Sequence, residues 1–133
     1  MLYPMAMMVL LTLLVGIITF ITRLSSYKSG EVKGMYFKLM QGQEVPEMVT
    51  KTTRCFNNMF EIPVIFYAAC TLYLVLGVES LVGIVLAWVF IALRYLHATI
   101  HLTYNHILHR MLAFWLAFFC AIALWVNLVI KTA

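Results

Sequence analysis

The sequence predicts an all-α protein, a transmembrane four-helix bundle that forms one domain over residues 1–133. Two features of composition support this class. Hydrophobic residues make up 65% of the chain and charged residues 11%, whereas ordinary globular chains hold about 25% charged residues. Mean hydropathy is +0.99. A third observation is that four apolar runs reach the roughly 20 residues that cross the hydrocarbon of a bilayer.

The first span is predicted at about residues 2–22, and it ends at Arg23. No basic residue precedes this run, so it is interpreted as a retained span and not as a signal peptide. A polar connection of about two dozen residues follows. Within it, the apolar residues 35–40 are expected to form a short helix on the membrane surface.

The second span is predicted at residues 55–77, in a helix that opens near Pro46 and stops at Gly77. Proline near a helix start and glycine just past its end are typical of helix termini. The third span, residues 80–104, begins at Ser80, which is a favourable N-cap. Because so few residues separate these two spans, they should form an antiparallel hairpin.

The fourth span is predicted at residues 110–130, and positive charge then sets the orientation. The first and third connections hold almost all Lys and Arg, and the second holds none. Positive charge marks the cytoplasmic side, so both termini should lie outside the cytoplasm. No basic stripe with interleaved aromatic residues is present, so a nucleic-acid partner is not expected. The cationic residues of these two connections are Arg23, Lys28, Lys33, Lys38, Lys51, Arg54 and Arg110.

Polar side chains recur at helical spacing inside the second and third spans. Counting the rise per residue from the hairpin places Glu61 and Arg94 at a similar depth on neighbouring helices. A buried ion pair between them, within one subunit or across a subunit boundary, would satisfy both charges. Ionisable groups at this depth indicate a functional cavity near the cytoplasmic side. The two polar faces comprise Arg54, Asn57, Asn58 and Glu61, and Arg94, His97, His101, Tyr104 and Asn105.

Ordinary packing explains part of this pattern. Asn, His and Tyr on membrane helices commonly hydrogen-bond between helices, each contributing about 0.6–2 kcal/mol. That interpretation suffices for Asn57, His97 or Tyr104 taken singly. It does not account for two arginines and a glutamate placed together inside the spans.

The spacing of Arg54, Asn58, Glu61 and Pro63 resembles the second-helix signature of the MAPEG superfamily, the membrane-associated proteins in eicosanoid and glutathione metabolism. Arg94 followed by Tyr95, and Arg110 at the start of the fourth span, resemble its other marked positions. The histidine cluster, His97, His101, His106 and His109, is more similar to the bacterial branch. The resemblance implies a homotrimer that binds glutathione between adjacent subunits, in a bacterial inner membrane.

By the same resemblance, glutathione is a substrate and lipophilic electrophiles or peroxides reach it from the membrane lipids. A nearby cation is needed because a free thiol ionises near pKa 8.5 and the thiolate is the nucleophile. The resemblance assigns this role to Arg110, which is the expected catalytic residue. No metal is expected. The expected glutathione-binding residues are Arg54, Asn58, Glu61, Arg94, Tyr95, His97 and Tyr104.

Three alternatives stay open. Ile62 and Thr99 stand where the eicosanoid-forming members often carry tyrosine, which favours a non-catalytic lipid-binding or scaffolding member. His97 and His101, four residues apart, are spaced to chelate a metal with Glu61 or to bind haem. Proton relay or transport is the last alternative, and no inverted repeat supports it.

Overall fold

A computed structural model describes all 133 residues as helices and connections without a strand. Four apolar segments are long enough to cross a membrane, so the predicted all-helical chain with four spans is confirmed. They are α1, the unit Glu47–Val75, α5 and α6. The helices are α1 Leu2–Lys28, α2 Tyr36–Leu39, α3 Glu47–Asn57, a 3-10 turn Asn58–Phe60, α4 Ile62–Val75, α5 Leu81–Leu102 and α6 Ile107–Thr132.

The helix boundaries follow local capping chemistry where the sequence indicated it. Pro46 precedes the first residue of α3. The Ser80 hydroxyl accepts the N–H of Gly83 at 3.1 Å and so caps α5. Gly77 adopts a φ of +63°, which glycine tolerates without a steric penalty, in the tight α4–α5 hairpin.

Two helices extend beyond the predicted spans. α1 continues to Lys28, past the predicted limit at residue 22, and α6 begins at Ile107, before residue 110. Hydropathy marks the hydrocarbon layer, whereas a helix can continue into the polar membrane surface. α5 is shorter than expected and ends at Leu102, where Thr103 leaves helical geometry with φ −98° and ψ −107°.

The second membrane-crossing segment is interrupted. Its helix stops at Asn57, passes through the 3-10 turn and breaks at Glu61, where φ is −97° and ψ is −99°. Pro63 lies in the first turn of α4, where a missing N–H is tolerated. Further along a continuous helix the same proline would clash with the preceding turn. The segment therefore consists of two helices, α3 and α4, connected through the 3-10 turn and Glu61.

Small side chains allow α5 and α6 to pack closely. Ala113, Ala117 and Ala121 are buried along one stripe of α6. On the α4 side of the core, the rings of Phe66 and Phe90 stack at a centroid distance of 4.3 Å and an angle of 9°. Lipid-facing surfaces of the helices carry large exposed hydrophobic residues, as expected when the bilayer is the solvent.

A polar network fastens α4, α5 and α6 at the hairpin end of the bundle. The Tyr73 hydroxyl lies 2.8 Å from Oδ1 of Asn127 and 3.2 Å from the Leu124 carbonyl. The Ser80 hydroxyl donates to the same Oδ1 at 2.7 Å. The opposite end, where α1 and α5 finish and α3 and α6 begin, is called the basic end below.

Candidate functional site

An open cleft of about 470 Å³ lies at the basic end, between the α3 segment and the junction of α5 with α6. Its volume lies within the range of roughly 300–1,000 Å³ that is typical of small-molecule sites. One wall is polar and the other is apolar. The cleft is lined by Arg54, Asn57, Asn58, Glu61, His97, His101, Ile107, Arg110, Met111, Phe114 and Trp115.

The polar wall comes from the end of α3 and the 3-10 turn. Arg54, Asn58 and Glu61 lie together there, as their helical spacing predicts, with Asn57 beside them. The one ion pair in the structure joins Lys51 to Glu47 at 2.7 Å. The charges of Arg54 and Glu61 are thus uncommitted within the chain, and both side chains are exposed.

Arg110 is oriented by two neutral acceptors from the α5–α6 junction. Its Nη1 donates to Oδ1 of Asn105 at 2.9 Å and lies 3.5 Å from Nε2 of His101. Asn105 has a φ of +50°, and its N–H donates to the Ile100 carbonyl at 2.8 Å, which closes the end of α5. Since both partners are uncharged, Arg110 keeps its positive charge for the cleft.

His97 and His101 form the floor of the cleft and are each only 2% exposed. Their ring centroids are 5.8 Å apart, and Nδ1 of each ring is buried without a hydrogen-bond partner. Because an arginine only donates, Nε2 of His101 is the acceptor toward Arg110. Within the chain, no three His, Cys, Asp or Glu side chains are grouped to hold a metal ion, so Glu61 is not grouped with His97 and His101 as the metal alternative requires.

Arg94 lies behind the polar wall and is completely buried. Its Nη2 donates to the Asn58 carbonyl at 2.8 Å and lies 3.9 Å from the Met59 sulfur, while Nε and Nη1 have no partner. The predicted ion pair with Glu61 is absent within the subunit, because the helix break offers Arg94 a main-chain acceptor. Arg94 does not line the cleft.

Two predicted ligand residues lie elsewhere in the subunit. The Tyr95 hydroxyl donates to the Met7 carbonyl of α1 at 3.0 Å. Tyr104 lies beyond the end of α5, and its hydroxyl is 3.2 Å from Nδ1 of His109. Neither tyrosine lines the cleft, and contact with glutathione stays a prediction for both.

None of the residues of the apolar wall was among the expected catalytic or glutathione-binding residues. It consists of Ile107, Met111, Phe114 and Trp115 from the first three turns of α6. Residues 107, 111 and 115 recur every fourth position and residue 114 falls beside them, so they share one helix face. That spacing was present in the sequence, but it resembles an ordinary lipid-facing surface.

Comparison with known proteins identifies the family. The MAPEG family model matches residues 1–130, nearly the whole chain. No curated protein matches the chain, and no solved structure matches it either. The family match agrees with the four apolar helices and with the polar residues on the second of the four spans. The chain is therefore a multi-pass integral membrane protein that belongs to the MAPEG family.

Proposed function

We propose that this protein binds glutathione in the polar cleft and uses the glutathione thiolate to conjugate lipophilic electrophiles or to reduce lipophilic peroxides. The observation that carries the proposal is the pairing of uncommitted charges with an apolar wall in one cleft. Glutathione has two carboxylates and an ammonium group. Arg54 offers a guanidinium fork for a carboxylate, and Glu61 offers an acceptor for the ammonium.

Arg110 supplies the electrostatic part of the proposed reaction. A guanidinium held beside a thiol favours its ionised form, and the thiolate then attacks the electrophile. Asn105 and His101 fix the guanidinium without cancelling its charge. In conjugation, the glutathione sulfur bonds to carbon, and the bond from that carbon to a leaving group such as halide breaks with its electron pair. In peroxide reduction, sulfur attacks a peroxide oxygen and the O–O bond breaks, which gives glutathione sulfenic acid and an alkoxide that takes up a proton to leave as an alcohol. A second glutathione then reduces the sulfenic acid, with glutathione disulfide and water as products. The apolar wall, with Met111 and Trp115 each nearly half exposed, gives the lipophilic partner a surface on the membrane side.

The proposed assembly is a homotrimer with the cleft completed by a neighbouring subunit. The family resemblance supports it, as does the open cleft. The proposed location is a bacterial inner membrane, with the basic end at the cytoplasm and both termini outside. The concentration of Lys and Arg in the first and third connections supports this orientation.

The test compares the thermal stability of wild type and two variants in detergent as glutathione is added. A ligand at 100 times its Kd stabilises the folded state by about 2.7 kcal/mol through mass action, so Tm should rise. Arg54→Ala should lose this rise. Arg23→Gln is the matched control, because Arg23 lies at the same end but does not line the cleft. It should keep the rise.

Two outcomes would contradict the proposal. A wild-type Tm that stays flat at millimolar glutathione would remove glutathione as the ligand and favour the lipid-binding or scaffolding alternative. An unchanged response in Arg54→Ala would place glutathione outside this cleft. Turnover of an aryl halide and of a lipid hydroperoxide by wild type then separates conjugation from peroxide reduction.

A further inference from the structure

A second groove, of about 270 Å³, lies at the basic end on the outside of α1. It shares no residue with the polar cleft. Its lining is Phe20, Arg23, Leu24, Tyr27 and Phe37, so one cation is set among four hydrophobic side chains. We propose that this groove selectively binds an anionic phospholipid, with the phosphate on Arg23 and an acyl chain along Phe20 and Leu24.

Arg23 is fixed in position while its charge remains available. Its Nε and Nη2 donate to the Thr53 hydroxyl at 3.3 and 3.0 Å. Thr53 is neutral, and the one ion pair in the structure lies elsewhere, between Lys51 and Glu47. The Nη1 of Arg23 has no hydrogen-bond partner in the chain. A planar guanidinium that is already oriented and uncompensated suits a phosphate group.

The depth of the groove matches a lipid and not a soluble anion. Arg23 lies 21 residues after Leu2 on one continuous helix, and a rise of about 1.5 Å per residue places it about 32 Å along the axis. Hydrocarbon is roughly 30 Å thick, so Arg23 reaches the level of the headgroups. Phe20 lies one turn deeper and is 66% exposed. Tyr27 lies one turn further out, where aromatic rings favour the interface.

The charge around the groove selects the kind of lipid. Exposed Lys28 and Lys38 directly follow two of the lining residues, Tyr27 and Phe37. The connection also carries the carboxylates Glu31, Glu44 and Glu47, of which Glu47 pairs with Lys51. A zwitterionic lipid would bring the ammonium group of its headgroup toward these lysines, which would repel it. A headgroup with a net negative charge would be attracted. Four hydrophobic lining residues out of five exclude a site built for free phosphate alone.

The experiment measures Tm in detergent after adding phosphatidylglycerol or phosphatidylcholine with identical acyl chains. Wild type should show a larger rise with phosphatidylglycerol and no rise with inorganic phosphate. Arg23→Gln keeps a donor for Thr53 but removes the charge, so the preference for phosphatidylglycerol should disappear. Arg23→Lys should restore part of it. The control Arg54→Gln changes a cation of the polar cleft and should leave the lipid preference intact.

A second variant keeps the proposal testable if Arg23→Gln fails to fold. Phe37→Ala removes the α2 wall of the groove, and it should weaken phosphatidylglycerol retention at least several-fold in native mass spectrometry. Equal stabilisation by both lipids in wild type would overturn the proposal, as would a preference that survives both variants. The same rise with inorganic phosphate as with phosphatidylglycerol would show an anion site without a lipid. None of these outcomes depends on glutathione, so this proposal and the proposed function fail separately.

Discussion

Replacing Asn105 by glycine should weaken the proposed thiolate chemistry without disturbing the fold. The side chain supplies the shorter of the two contacts that hold Arg110, at 2.9 Å against 3.5 Å for His101. Asn105 has a φ of +50°, a conformation that glycine adopts freely, so Asn105→Gly removes the amide and keeps the turn. Asn105→Ala would remove the amide and would also strain the turn, because alanine rarely adopts a positive φ.

The expected magnitude follows from the lost contact. A hydrogen bond to a charged group contributes about 1.5–3 kcal/mol, which corresponds to roughly a tenfold to hundredfold change in rate. We therefore expect the second-order rate of glutathione with an aryl halide to fall by that factor, with Tm nearly unchanged. The ultraviolet absorbance of bound thiolate should fall at neutral pH in the same variant.

A companion variant separates positioning from charge. Asn105→Asp tolerates the same backbone conformation but places a carboxylate on Arg110, which would hold the guanidinium more tightly and cancel its charge. It should also lose thiolate absorbance. If Asn105→Gly keeps the wild-type rate within twofold while Arg110→Ala loses it, Asn105 does not position the arginine.

Two stability predictions concern other parts of the bundle and are measured by unfolding in detergent. Asn127→Leu removes the acceptor shared by Tyr73 and Ser80. Tyr73 keeps the Leu124 carbonyl, but the buried Ser80 hydroxyl loses its acceptor, which should cost about 1–3 kcal/mol. An unchanged unfolding midpoint would show that the network contributes nothing. Ala117→Leu overpacks a fully buried position on α6 and should cost about 1–3 kcal/mol. The lipid-facing control Ile122→Leu should be neutral, and equal effects of these two leucines would contradict the close packing of α5 against α6.

The polar face of the second span was predictable because its residues are close in sequence. Arg54, Asn58 and Glu61 follow a helical repeat, and even a break at Glu61 leaves them on one wall. The break itself was missed. Pro63 signalled it, since a proline in an apolar run starts a new helix as readily as it bends an old one.

Within the subunit, the ion pair predicted for Arg94 is absent and Tyr104 does not continue the helical face of α5, for two different reasons. The estimate of depth was sound, because Arg94 does reach the level of the 3-10 turn. A similar depth does not determine which group Arg94 contacts. The acceptor that Arg94 reaches is the Asn58 carbonyl and not the Glu61 carboxylate. For Tyr104, the helical face was extended past Leu102, where the helix has already ended.

The contacts of Tyr95 and Arg110 could not be predicted from the sequence, because they depend on how the helices and the α5–α6 turn are arranged. Tyr95 follows Arg94 by one residue, which rotates it about 100° around the helix, toward Met7 on α1. Asn105 contacts Arg110 only because residues 103–106 reverse the chain with one residue at positive φ. Neither turn geometry nor helix rotation is determined by spacing alone.

At the interruption of the second span, the buried Arg94 and the exposed Glu61 lie near each other without forming an ion pair. A main-chain carbonyl oxygen has two lone pairs, so the Asn58 oxygen can accept from an arginine in addition to a backbone N–H. Here main-chain oxygen accepts from Arg94, and Glu61 remains exposed in the cleft. Neither charge neutralises the other. In the proposed function, the ammonium group of glutathione would therefore meet a Glu61 carboxylate that is not paired with Arg94.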